Sequence, residues 1–189
     1  MNIHTITKMT IEEFFSWAHE QQAKGENTRC ELVGGVVKMQ PYVRLNHTVI
    51  SMNIGFELLK QIDRNKFTVA NGDFAVQTGP NSVRFADVMV MPAGKDGNIL
   101  SVDDAIILFE VLSKSTMHKD FGEKKREYQA LDSLQAYVVL ASDEPMVWLW
   151  QRNEDGEWEE EPVQLSEGKF ALDAVRVDLL IEDLYREVR

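Results

Sequence analysis

The chain has 189 residues with 20 Lys+Arg, 31 Asp+Glu and four His, a formal charge of −11. That length suits one domain with a sizeable core, and an apolar share of 44% beside 27% charged residues excludes a globally disordered chain. Cys30 is the only cysteine, which excludes an internal disulfide framework and Cys-rich zinc modules and suits a reducing cytoplasm.

No apolar run approaches the roughly 20 residues of a membrane span, and no basic segment followed by an apolar one opens the chain, so neither a membrane nor an export role is expected. Net charge alone argues against nucleic acid, whose binding is driven by Lys and Arg. Its distribution weakens that argument. Residues 143–189 hold 14 acids and 5 bases, net −9, whereas residues 1–142 hold 17 acids and 15 bases, net −2.

In chain order, Thr10-Ile11-Glu12-Glu13 has the spacing of a capping box and predicts a helix to about Gln22. Two short strand-like runs from Cys30 to Gln40 flank Gly34-Gly35, as in a hairpin. Val49, Met52, Phe56 and Leu59 recur at helical spacing and predict a long helix from Leu45 to Ile62. Strands are expected at Lys66 to Gln77, Val83 to Met91 and Ala105 to Ser113, then a helix from near Asp120 to near Asp132. Strands Ala136 to Ala141 and Met146 to Gln151 follow, then an acidic hairpin at Glu154 to Glu161 and a terminal helix at Asp178 to Val188. The expectation is a single mixed α/β domain over residues 1–189, its acidic C-terminal hairpin and helix occupying about 154–189.

Two carboxylates break their local patterns. Strand alternation puts Asp87 on one face with Val83, Phe85, Met89 and Met91; its structural alternative is an Asp at a strand end that accepts backbone amides. Glu110 lies inside Ala105-Ile106-Ile107-Leu108-Phe109-Glu110-Val111-Leu112, a run that reads as a strand buried on both faces. An ionised carboxylate there costs several kcal/mol unless a cation or good donors offset it, so something positive should face it. The alternatives are a structural ion pair and a site where Asp87 and Glu110 converge. Two hard oxygen donors suit Mg²⁺ with water and phosphate, whereas no His pair has zinc spacing.

The densest basic segment follows: Lys114, His118, Lys119, Lys124, Lys125 and Arg126. On a helix from Asp120, residues Asp120, Lys124 and Tyr128 share a face. Lys124 could stabilise developing negative charge, or form an ordinary surface pair with Asp120. Glu31, in a strand-like segment, and His47, in the first turn of the long helix, could each reach such a site or remain at the surface.

The strings Arg84-Phe85-Ala86-Asp87-Val88, Phe109-Glu110-Val111-Leu112-Ser113-Lys114-Ser115-Thr116 and Asp120-Phe121-Gly122-Glu123-Lys124, followed by Tyr128, resemble the Uma-two family of endonucleases. That family is a branch of the PD-(D/E)XK, or restriction-endonuclease-like, superfamily. Glu31-Leu32-Val33-Gly34-Gly35, His47 and Ser133-Leu134-Gln135-Ala136-Tyr137-Val138 extend the resemblance over most of residues 10–152.

The resemblance implies a restriction-endonuclease-like α/β core, a central mixed β-sheet flanked by helices. It also implies a metal, Mg²⁺ or Mn²⁺, held by Asp87, Glu110 and the main-chain carbonyl of Val111, with Glu31 nearby. The superfamily lysine two residues after the second acid is replaced here by Leu112, which transfers its role to Lys124. His47, Asp120 and Tyr128 would support the site, and Lys114, Lys119, Lys125 and Arg126 would receive a DNA backbone. A homodimer would suit cleavage of two strands. The expected activity is metal-dependent hydrolysis of DNA phosphodiesters. The alternatives are a catalytically silent scaffold or regulatory binding protein, in which Lys124 merely neutralises Glu110, and a nucleic-acid binder without chemistry. Ala86 stands where the family often has Pro, and Gly34, Val36, Ala136 and Ala141 stand where it often has acids.

Overall fold

The computed structural model describes residues 8–26, 28–112 and 114–188; the side chains of residues 114–121 also lie outside the described residues. Helix α1 (Ile11–Ala23) opens on the expected capping box, with the Glu13 amide donating to Thr10 Oγ1 at 3.2 Å and the Thr10 amide to Glu13 Oε2 at 2.8 Å. Strands β1 (Cys30–Val33) and β2 (Val36–Met39) form the expected hairpin. Its turn needs glycine, since Gly34 and Gly35 have φ of +56° and +84°.

Helix α2 spans Leu45–Gln61. Then come β3 (Phe67–Asn71), β4 (Ala75–Gly79), β5 (Ser82–Arg84), β6 (Val88–Pro92), β7 (Ser101–Val102) and β8 (Ile107–Leu112). Helix α3 (Lys114–Gln129) leads to β9 (Ala136–Ala141) and β10 (Val147–Gln151). The chain ends with β11 (Val163–Leu165), β12 (Lys169–Leu172), β13 (Val177–Leu180) and α4 (Ile181–Leu184).

The main sheet has the order β11-β10-β9-β8-β6-β3 and is mixed, because β8 and β9 run parallel across the α3 crossover while the other neighbours are antiparallel. A smaller sheet has the order β2-β1-β5-β4-β7. On one face of the main sheet, Ile107, Phe109 and Val111 pack with Ile50, Ile54 and Leu58 of α2 and with the β12–β13 hairpin. On the other, Leu108 and Leu112 pack with Tyr128 of α3, Tyr137 and Trp150. Helix α1 covers the small sheet through Phe14 against Cys30, Leu32, Ala75 and Val83. Among the described residues no helix is long and apolar enough to cross a membrane.

Several expected elements divide or move. The run Lys66 to Gln77 turns at Asn71-Gly72-Asp73-Phe74, so its halves β3 and β4 belong to different sheets. The run Val83 to Met91 divides at Phe85-Ala86-Asp87, where the chain leaves the small sheet for the main one. Asp87 is therefore not part of a continuous alternating strand. Helix α3 begins six residues before Asp120, with no proline or glycine between Lys114 and Asp120 to oppose it.

In the acidic segment, an antiparallel bridge between Arg152 and Trp158 closes a turn, and β11 follows it. The expected terminal helix over Asp178 to Val188 is a strand and a four-residue helix. Val177 and Leu179 alternate with exposed neighbours into the core, a period-2 pattern that is too short to separate from a helical one.

Candidate active site

The site lies where the two sheets meet. Strand β8 is buried along its whole length, and its alternation puts Glu110 on the α3 face between Leu108 and Leu112. Glu110 is 3% exposed. The positive charge that this burial calls for is Lys124, whose Nζ donates to Glu110 Oε1 at 2.9 Å. Tyr128, one helical turn on, donates its hydroxyl to the same oxygen at 2.7 Å. Both described donors use Oε1, and Oε2 takes no hydrogen bond among the described residues.

Asp87 approaches from the seam. Its amide donates to the Phe109 carbonyl at 3.0 Å, which continues the β6–β8 ladder one step beyond the Val88–Phe109 pair. Its side chain takes the next position, with Oδ2 accepting from the Val111 amide at 2.6 Å. A residue in a strand points its N–H and C=O to the same side. The Val111 carbonyl is thus directed past the last β6 pair, beside Asp87. His47 Nε2, from the first turn of α2, lies 3.0 Å from Asp87 Oδ1.

Glu31 completes the polar centre from β1. It is 1% exposed. Its Oε1 lies 3.4 Å from Lys124 Nζ, while Oε2 accepts from Gln40 Nε2 at 2.7 Å and from Arg84 Nη1 at 2.9 Å. Arg84 also grips Glu127 with two parallel bonds, Nε to Oε2 at 2.8 Å and Nη2 to Oε1 at 2.7 Å, and Thr78 donates to Glu127 Oε2 at 3.0 Å. A continuous network therefore runs Glu127–Arg84–Glu31–Lys124–Glu110, buried from Arg84 to Glu110 and partly open at Glu127, tying α3 to both sheets.

Electrostatics follow from burial and neighbours. Burial pushes the Glu110 carboxyl up to about 7; Lys124 opposes the shift, and Asp87 and Glu31 add to it. Burial pushes Lys124 down, but Glu110 and Glu31 more than reverse this and hold its ammonium above the ordinary range. Lys124 is accordingly a fixed cation, and Glu110 is the group whose charge depends on its company. Burial pushes the Tyr128 hydroxyl well above its ordinary value, with Glu110 adding to the effect, so it serves as a donor.

Of the residues expected from sequence, Asp87, Glu110, Lys124, Tyr128, Glu31, His47 and the Val111 backbone are brought together. The side chains of Lys114, Lys119 and Asp120 lie outside the described residues. Lys125 differs from expectation: its amine donates to the Glu160 carbonyl at 2.8 Å and sits 4.8 Å from the Trp150 ring centroid, so it is occupied within the chain. Arg126 is exposed, with Nε donating to the Gly122 carbonyl at 3.0 Å. Sequence reasoning missed Arg84, Gln40 and Glu127. Their one signal is an arginine among apolar residues in Val83-Arg84-Phe85.

Comparison with known proteins places the chain in a family and shows its fold. A protein from Synechocystis sp., described as uncharacterized, is 26% identical over 183 residues, 95% of this chain and 92% of that one. The crystal structure of a protein from Anabaena variabilis, titled a putative nuclease belonging to DUF820, superposes with a TM-score of 0.70 at 14% identity. The superposition covers 94% of this chain and 97% of that one, and shows a shared fold. Residues 11–181 match the family Uma2, described as "Putative restriction endonuclease". Since that match runs from the first residue of α1 to the first residue of α4, the chain belongs to the Uma2 family.

Proposed function

We propose that this protein is a divalent-metal-dependent endonuclease that hydrolyses DNA phosphodiester bonds. The observation that carries the reading is the meeting of Asp87 and Glu110 around the Val111 backbone, with a buried ammonium fixed beside them. The donor set fits Mg²⁺ or Mn²⁺: Asp87 Oδ1, Glu110 Oε2 and the Val111 carbonyl are hard oxygens on adjoining backbone. Among the described residues no group of three or more His, Cys, Asp and Glu side chains forms a metal cluster, so the third protein donor in this reading is a carbonyl. Such an ion supplies polarisation of a phosphate oxygen and a lowered pKa for water.

The chain's own groups do the rest. Lys124, held cationic between Glu110 and Glu31, stabilises negative charge growing on the phosphate. Tyr128 and Lys124 fix the Glu110 rotamer, and the Val111 amide and His47 fix Asp87 from two sides. Glu31 holds Lys124 in place. The single free cysteine is buried and suits a reducing, cytoplasmic setting.

Calorimetric titration with Mg²⁺ or Mn²⁺, together with plasmid DNA cleavage, tests the reading. The wild type is expected to bind the ion and nick DNA, and Asp87→Asn and Glu110→Gln to lose both. Absence of metal binding would establish the silent scaffold in which Lys124 alone neutralises Glu110. Cleavage that survives both substitutions would remove these residues from the chemistry.

A further inference from the structure

Helix α2 has two apolar stripes, and only one is used within the chain. Ile50, Ile54 and Leu58 face the main sheet. Leu45, Val49, Met52, Phe56 and Leu59 form the other, at the alternating four-and-three spacing of a helix-pairing seam. Leu45 is 77% exposed, Met52 and Phe56 62% each, and Leu59 46%. These side chains present about 500 Å² of apolar surface, the size of the largest patch on a typical single chain, which is often a functional surface.

We propose that this stripe is the interface with a second copy of the chain, α2 packing antiparallel on α2 about a two-fold axis between Val49 and Met52. Self-complementarity supports this choice of partner. In a two-fold interface, if residue i meets residue j, then j meets i. The register about that axis sets Leu45 against Phe56 of the partner subunit and Val49 against Met52 of the partner subunit. Leu59 then lies beyond the start of the partner helix, and Tyr42, three residues before that start, is itself 82% exposed. Within the paired helical positions no apolar residue of the stripe faces a charge.

The flanks agree. In this register Asn53, whose amide donates to the Leu184 and Arg186 carbonyls, faces Asn46 of the partner subunit, and Gly55 faces Thr48 of the partner subunit, so these flanking positions bring no like charges together. Gly55 otherwise has no explanation within the chain, because a Cβ there would meet nothing within 4 Å. A glycine in mid-helix costs about 1 kcal/mol relative to alanine, and close approach of a second backbone gives it a use. Two stripes together bury about 1,000 Å² before flanking polar surface is added, the lower bound for a specific pair. Lys60, a cation at the edge of the stripe, is paired with Glu57 Oε2 at 2.7 Å and lies beside the Phe56 ring.

The interface is independent of the catalytic reading, and its test uses no activity. Sedimentation of the full chain at micromolar concentration is expected to give twice the 21.6 kDa chain mass. Met52→Lys is expected to give the single mass with an unchanged circular dichroism spectrum. A monomeric wild type, or a folded Met52→Lys that remains dimeric, would overturn the proposal. Register is read separately by oxidation. Leu45→Cys combined with Phe56→Cys is expected to cross-link between chains, while either alone does not. Efficient cross-linking of Leu45→Cys alone would mean parallel pairing and would overturn the arrangement, as would a double variant that fails to cross-link.

Discussion

Replacing Arg84 with Met should be among the most destabilising substitutions in this chain. Arg84 is buried and makes three charge-assisted hydrogen bonds to two carboxylates. The bonds to Glu127 count for less, because that side chain is partly open to solvent and can recover hydration. Glu31 is different: it is sealed, and without Arg84 it keeps Gln40, a more distant Lys124 and a long bond from the Phe85 amide at 3.5 Å. Stranding one partner of a buried pair costs about 3–5 kcal/mol. Arg84→Lys should recover only part of this, since an ammonium cannot reproduce the fork that holds Glu127 while reaching Glu31. Arg84→Met combined with Glu31→Gln should be less damaging than Arg84→Met alone, because the stranded charge is gone. Urea unfolding of these three variants and of Glu31→Gln alone measures the differences. A loss below about 1 kcal/mol for Arg84→Met, or a double variant as unstable as the sum of the singles, would refute the reasoning.

Tyr128→Phe removes a buried donor to Glu110 and should cost about 1–3 kcal/mol in thermal unfolding, with backbone structure unchanged by circular dichroism. Acid sensitivity should depend on Glu127. The Arg84 bonds and Thr78 hold its folded-state carboxyl below the ordinary value of 4.5, although partial burial acts the other way. A depressed folded value gives stability that is fully present above the unfolded value and is lost as pH falls through the folded one. Glu127→Gln should therefore be less stable than wild type at neutral pH and show a flatter loss of stability below pH 4.5, measured by urea midpoints across that range.

The carboxylates of the site were legible because each contradicted its surroundings: Glu110 within an apolar run, Asp87 beside Val88-Met89-Val90. Lys124 and Tyr128 followed from helical spacing, which survives an error in where the helix begins. Arg84 was not legible. An arginine after Val83 reads as the outward residue of an alternating strand, and its burial depends on Glu31 and Glu127, which are 53 and 43 residues away in sequence. The fold class followed from the order of elements, but the partition into two sheets did not. In Lys66 to Gln77 the Asn71-Gly72-Asp73 sequence signals the turn but not that the second half joins another sheet, and Val83 to Met91 carries no such signal at all. For α2, the stripe that identifies the helix in sequence is the one the fold leaves uncovered, since periodicity gives a helix and not the direction it faces.

The break at Phe85-Ala86-Asp87 makes the two halves of the polar centre separable in principle. Asp87, Glu110 and the Val111 backbone belong to the large sheet and its cores, while Glu31 and Arg84 belong to the small sheet under α1. Lys124 and Glu127 on α3 are the ties between them. Local opening of the small sheet would thus take away the clamp on Lys124 while leaving the oxygen donors on their strands.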